Sequence, residues 1–389
     1  MNLENLSELI SILMIILIVY PFIIYPIILK LLAFIFNNSV TKNYDFKGEV
    51  TVLIAAYNEE STIENCIKSI YNSNYPKDKI NVLVGSDGST DKTHDIIEKL
   101  MTEYNTLNYY IYERSGKNFV LNKLVKNVNT EFLYILDADC RLNQNTLKEL
   151  MANFSEPNVS AVFSPVNIVN NQNIDTGQQG EKIYQQFEKF IRYTESKISS
   201  TVNSLNSCLI KTNNVKKIPN NLVCDDFFYV LNVIKENKRI LFDTDTQIIE
   251  VREKSTNDEF NRRIRLVSGG LSTITLMKKL FLPNYGFIPF FLFSHKLSKW
   301  LSPFYLIFLL IATLFMPDTP FREFLLISQY FLYASSLIAF LLEKTNFKLF
   351  FFKIPLFYVS MNISFLFGWF RFFSGKQNAI WDRAGLIDK

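Results

Sequence analysis

From Leu9 to Leu29 the chain carries no charged side chain, and about 20 consecutive apolar residues are enough to cross a bilayer as a helix. Three further uncharged runs lie near the other end: Trp300 to Met316, Phe324 to Leu342, and Ile354 to Phe370. Any one of them could be a buried core helix of a soluble protein, but four in one chain point to a membrane. The chain must therefore fold partly in lipid and partly in water. Its 48% apolar and 20% charged residues agree, as does a mean hydropathy of +0.09. That value is too high for an ordinary soluble enzyme and too low for a chain embedded throughout. The same composition excludes long disorder and collagen-like or mucin-like architecture.

Glu4 and Glu8 precede the first run, with no Lys or Arg, so it lacks the positive start of a cleaved signal peptide and reads as an anchor. Lys30, Lys42 and Lys47 follow it, which places the N-terminus outside and the next segment in the cytoplasm. The expected organisation is an anchor over 1–47 with its span near 9–29, then a cytoplasmic domain over 48–280. Pro283, Gly286 and Pro289 interrupt the next apolar stretch, and His295, Lys296, Lys299 and Trp300 follow, so 281–299 reads as an interfacial segment. Membrane helices over 300–373 and a polar tail over 374–389 complete the chain. The expected location is the inner (cytoplasmic) membrane, multi-pass. One tension remains: three C-terminal crossings would leave Arg371, Lys376, Arg383 and Lys389 outside, against the positive-inside rule. A last run that does not fully cross, the one containing Pro355, would relieve it.

The formal balance of 41 basic and 37 acidic groups gives +4, and no basic stripe interleaved with aromatics runs through the middle, so nucleic acid is not an expected partner. Cys66, Cys140, Cys208 and Cys224 show no CxxC spacing, and His94 and His295 are the only histidines. A zinc centre or disulfide scaffold is thus unexpected. Any metal must be held by oxygen.

The middle alternates β-rich runs (Val50–Ala56, Ile80–Gly85, Tyr109–Tyr112, Phe132–Leu136) with amphipathic helical stretches, the pattern of an α/β domain with a mainly parallel sheet covered on both faces. Ligands of such sheets bind beyond the carboxyl ends of the strands. Those ends carry Tyr57-Asn58-Glu59, Asp87-Gly88-Ser89 and Asp137-Ala138-Asp139. Asp137 and Asp139, at i and i+2, can face one way and suit a hard divalent cation bridging a diphosphate. A plain turn and helix cap would explain Asp87-Gly88-Ser89 taken alone; three acid-bearing termini at one edge favour a site. Ser115-Gly116-Lys117-Asn118 offers a flexible backbone and an ammonium to phosphate, or is a solvated loop. Asp225 and Asp226 either cap the helix they open or supply a general base. Arg262, Arg263 and Arg265 could hold departing diphosphate charge or attract anionic lipid.

These segments, VTVLIAAYNEE, VGSDGSTDKT, SGKNFVLNKLV, YILDADC, Cys224-Asp225-Asp226 and NRRIRLVSGG, follow the order of membrane-associated family 2 glycosyltransferases, which the chain resembles from Val50 to about Lys279. That group includes cellulose, hyaluronan and poly-N-acetylglucosamine synthases. The resemblance implies a GT-A fold and inverting, Mg²⁺- or Mn²⁺-dependent transfer from a nucleoside-diphosphate sugar, usually UDP-linked. It implies donor contacts by Ala55, Tyr57, Glu59, Asp87, Lys117, Asp137 and Arg262, and metal ligation by Asp139 with Asp137. Asp226 is then the base, with Asp225 and Arg265 beside it in the catalytic set. The acceptor is expected to be lipid-linked or a glycan, with membrane lipid and polysaccharide-export proteins as partners. Processive relatives carry Gln-x-x-Arg-Trp where this chain has Arg262-Arg263-Ile264-Arg265-Leu266. That departure favours single transfer over processive synthesis. A catalytically inactive scaffold or nucleotide-sugar sensor is the reading outside enzymology, and the full acid set argues against it.

Overall fold

The computed structural model describes residues 3–169, 178–203, 207–251, 256–342 and 350–375. Among the described residues ten strands form two sheets: β1 (Val50–Ala56), β2 (Ile80–Asp87), β3 (Leu107–Tyr112), β4 (Phe132–Leu136), β5 (Cys140–Leu142), β6 (Val159–Phe163), β7 (Val166–Val169), β8 (Ser207–Lys211), β9 (Arg239–Phe242) and β10 (Ile248–Val251). The large sheet has the order β3-β2-β1-β4-β8-β6-β9 and the small one β5-β10-β7. In the large sheet β3, β2, β1 and β4 are parallel, while β8 runs antiparallel to both β4 and β6. Strand order reverses between β1 and β4, so the ligand crevice of such a sheet falls between their carboxyl ends.

The central strands are buried on both faces: β1, β2, β4 and β6 read as near-continuous Val, Ile, Leu and Phe, with nearly every residue inside. The helix Ile63–Tyr71 buries Ile63, Cys66, Ile67 and Ile70, the helical spacing expected from sequence. All four cysteines are free and buried. The segment ahead of β1 is stitched to the domain rather than to the anchor. Asn38 N–H bonds Lys197 O and Asn43 N–H bonds Ala152 O, and Lys42 pairs with Glu149, Asp243 and Asp245 at 2.8–2.9 Å.

The first apolar run is one long helical stretch, Asn5–Ile35, with a widened turn at Tyr20–Ile24 containing Pro21. Pro320–Leu342 and Phe352–Phe373 are also long and apolar enough to span, and Ile288–Trp300 with Ser302–Leu314 forms a pair bent by 58°. The pair runs antiparallel to the first helix: Tyr20 meets Ser294 at 2.7 Å, while Ser7 and Ser11 reach Phe315 O and Met316 Sδ. The last helix behaves differently. It lies against the domain helix Thr256–Leu276, with Arg263 4.6 Å above the Phe357 ring and Phe260 against Phe367. Trp369 Nε1–H donates to Trp300 O at 2.8 Å. Lys376, Arg383 and Lys389 lie outside the described residues.

Candidate active site

Two loops are knotted together above β1 and β2. Asn58, at φ 54°, accepts Thr90 N–H at 2.8 Å and donates its own N–H to Ser89 Oγ, while Glu59 N–H bonds Thr93 Oγ1. The Glu59 carboxylate is buried and takes the Thr62 hydroxyl at 2.6 Å, so it holds the loop that carries Tyr57. Ala55 sits half-buried in β1 opposite Gly85.

Asp87, 2% exposed at the end of β2, organises the neighbouring loop. It accepts Ser115 N–H at 2.7 Å and Gly116 N–H at 2.9 Å and pairs with the Arg114 guanidinium. That guanidinium lies 3.5 Å over the Tyr57 ring, a cation–π stack. Gly88 (φ +73°) allows this approach, since a Cβ there would stand 3.1 Å from Arg114 N. Gly116 (φ +93°) supplies the turn that starts the helix Lys117–Leu124. Arg114 is absent from the sequence expectation; the signal available was its place directly before Ser115-Gly116-Lys117.

Lys117 then crosses to the carboxylates. Its Nζ is 2.8 Å from Asp137 Oδ1 and 3.2 Å from Asp225 Oδ2. Burial alone would lower the ammonium pKa, but Asp137 and Asp225 outweigh it and hold the group well above its ordinary value. Burial pushes Asp137 up from the usual carboxylate range, with Lys117 opposing and the Asp225 charge adding. The decisive direction is that of Lys117, which stays charged and binds two carboxylates into one cluster. Asp139 stands half-buried two residues on, and its carbonyl ties β10 to this turn through Val251 N–H at 3.0 Å. The buried Glu250 on β10 also bears on Asp137; its strand is short and gave no periodic signal.

Asp225 and Asp226 open the helix Asp225–Lys235. Consecutive helical positions diverge, and here they part company. Asp225 faces Lys117, whereas Asp226 lines a cavity of about 1000 Å³ together with Arg262, Leu266, Lys296 and Trp300. Arg262 leans on Glu259 at 3.5 Å. Burial, with Arg262 adding, lowers the Arg265 guanidinium pKa, against the pull of Cys224 and Asp225; a guanidinium nonetheless stays charged. The expected residues therefore divide into a group at the strand ends and the loops beside them (Tyr57, Asp87, Lys117, Asp137, Asp225) and a cavity-side group (Asp226, Arg262). Among the described residues no three of His, Cys, Asp or Glu form a ready-made metal cage.

A model described as glycosyl transferase family 2 matches residues 51–210, and one described as glycosyl transferase family group 2 matches 132–371, more than half of the chain. Among curated proteins, a dolichyl N-acetyl-α-D-glucosaminyl phosphate 3-β-D-2,3-diacetamido-2,3-dideoxy-β-D-glucuronosyltransferase of Methanococcus voltae is 30% identical over 125 residues, 30% of this chain and 39% of that protein. A poly-β-1,6-N-acetyl-D-glucosamine synthase of Staphylococcus aureus is 30% identical over 139 residues, 36% of this chain and 33% of that protein. The matches thus span only about a third of the length of these relatives. A mannosyltransferase from Pyrobaculum calidifontis, solved with GDP-Man and Mn²⁺, superposes with a TM-score of 0.73 at 19% identity, covering 95% of this chain and all of that one. At that identity the likeness speaks to the fold. The chain belongs to glycosyl transferase family group 2 and is a glycosyltransferase built on the GT-A fold.

Proposed function

We propose that the protein transfers a sugar, with inversion, from a nucleoside diphosphate to a lipid-linked or glycan acceptor at the cytoplasmic face of the inner membrane. One observation carries this reading: adjacent acids on one helix start face different spaces, Asp225 the donor-side cluster and Asp226 the cavity. The two substrates would meet there.

Tyr57 with Arg114, and the Asp87-braced loop, would seat the nucleoside. Lys117 would lie against the diphosphate. Asp226 would take the acceptor hydroxyl proton as the oxygen attacks the anomeric carbon from the face opposite the departing nucleoside diphosphate. A carboxylate doing so contributes about 10²–10⁴-fold. Asp139 and Asp137 are all-oxygen donors from one strand end. They fit Mg²⁺ or Mn²⁺, which bind through one or two carboxylates plus substrate phosphates and need no complete protein cage. The cation, when bound, would supply charge stabilisation to the leaving group. Arg262 and Arg265 would add positive charge from the next helix.

The contacts also favour one membrane orientation. Spans at Asn5–Ile35, at the bent pair and at Pro320–Leu342, with the last helix lying along Thr256–Leu276, leave Arg371 on the cytoplasmic side and relieve the charge tension. Asp226→Asn tests the chemistry. Transfer from labelled donor should fall at least 10²-fold while donor Kd stays within about twofold; retained turnover removes Asp226 from its role.

A further inference from the structure

The cavity beside Asp226 is amphiphilic in layout. Its wall runs from Asp226 and Phe227 to Trp300, Met361 and Phe365, the side chains where the domain meets the membrane helices. Most charges along it are matched. Glu188, 4% exposed, pairs with Lys299, with Arg192 at 3.2 Å and with His295 Nε2 at 3.0 Å. Glu195 takes His295 Nδ1 at 2.7 Å.

Lys296 differs from them. Its Nζ donates to the amide oxygen of Asn203, a neutral partner that itself donates to Glu188 at 2.8 Å. Among the described residues it makes no ion pair. It lies 5.0 Å from the Phe227 ring centroid and 5.8 Å from that of Trp300, so two aromatic faces flank it, while the Glu188 and Asp226 carboxylates act on it from beyond ion-pair distance. A half-buried cation satisfied only by an amide and two rings costs free energy that an arriving anion would recover. Phe227 is next to Asp226 in sequence, so this charge stands near the reacting end of the cavity.

We propose that Lys296 binds the phosphate of a lipid-borne acceptor, its chain directed along Trp300, Met361 and Phe365 and its sugar hydroxyl toward Asp226. The proposal deepens the acceptor assignment above and rests on it. An ammonium is an effective point-charge partner for phosphate, and Lys296 lies on the first half of the bent helix pair, on the wall of the cavity that Asp226 also lines.

The test is direct binding to the full-length protein in neutral-detergent micelles, so it does not depend on turnover. Dodecyl phosphate, inorganic phosphate and dodecanol are titrated calorimetrically into the native chain and into Lys296→Met, Lys296→Gln and Lys296→Arg, with thermal midpoints recorded for each. Dodecyl phosphate should bind the native chain and Lys296→Arg at least tenfold more tightly than the Met and Gln variants, with dodecanol indifferent to the substitution. Equal binding of dodecyl phosphate to the native chain and to a folded Gln variant overturns the assignment. Inorganic phosphate binding as tightly as dodecyl phosphate overturns its lipid part. If Asp226→Asn keeps full turnover while these affinities differ as stated, the catalytic reading fails and the phosphate site stands.

Discussion

The strand-end cluster depends on two charged hubs with different exposure, Asp87 and Lys117, and the difference sets what each substitution should do. Asp87 is almost wholly buried and holds two backbone N–H groups as well as Arg114. Asp87→Asn should destabilise the domain by about 3 kcal/mol, since it removes the charge of the buried member of the pair with the half-buried Arg114, and should lower the thermal midpoint along with donor affinity. Lys117 is about a quarter exposed, so Lys117→Met should cost less, about 1–3 kcal/mol, with the larger effect on donor Kd because Asp137 and Asp225 then repel. Glu188 gives a pH signature. Burial would raise its carboxyl, but Lys299, His295 and Arg192 overcome that and hold it well below the usual range. A depressed carboxylate contributes stability that is present above its unfolded value, about 4.3, and is lost as pH falls through the folded value. The gap in thermal midpoint between the native chain and Glu188→Gln should close as pH falls well below 4. Sequence order singled out Asp87, Lys117, Asp137 and Asp225 as candidates, because several acid-bearing strand ends in one sheet have few structural reasons to recur, and the structure brings Lys117, Asp137 and Asp225 into contact. Arg114 and Glu250 escaped, one because it stands just ahead of the Ser115-Gly116-Lys117 motif rather than in it, the other on a strand too short to show a period.

At the level of elements, close helix approaches govern the site. A Cβ at Gly85 would stand 2.4 Å from Val120 Cγ1 and 3.2 Å from Leu124, so β2 seats the helix Lys117–Leu124 through the absence of a side chain. Gly368 stands in the same way against Val267, where a Cβ would come within 2.6 Å of its Cβ. Gly368→Leu should therefore part the last helix from Thr256–Leu276, at about 1–3 kcal/mol of overpacking. It should also open the cavity at Met361 and Phe365, read as a lower thermal midpoint and weaker acceptor use with donor Kd unchanged. Strands β1, β2 and β4 were legible because parallel, doubly buried strands read as continuous apolar runs, and the edge strand β3 by its Tyr109–Tyr112 run. The small β5-β10-β7 sheet was not, since strands of three or four residues are at or below the shortest length at which a period can be told from chance.

Across the whole molecule the arrangement of helices gives a topology that labelling can check. Native cysteines are all buried, so an impermeant maleimide should report introduced ones cleanly. Asp318→Cys, in the turn before Pro320–Leu342, should label from outside, and Ser374→Cys only after permeabilisation. Outside labelling at both would mean that the last helix crosses. The sequence by itself determined that four apolar runs flank an α/β domain and which acids end its strands, because hydropathy and strand-end polarity are local properties of the chain. Only the tertiary structure decided which of those acids meet, that Asp225 and Asp226 face apart, and that the last apolar helix lies against the domain. Each of these is set by packing between segments far apart in the chain, and no local pattern encodes such a contact.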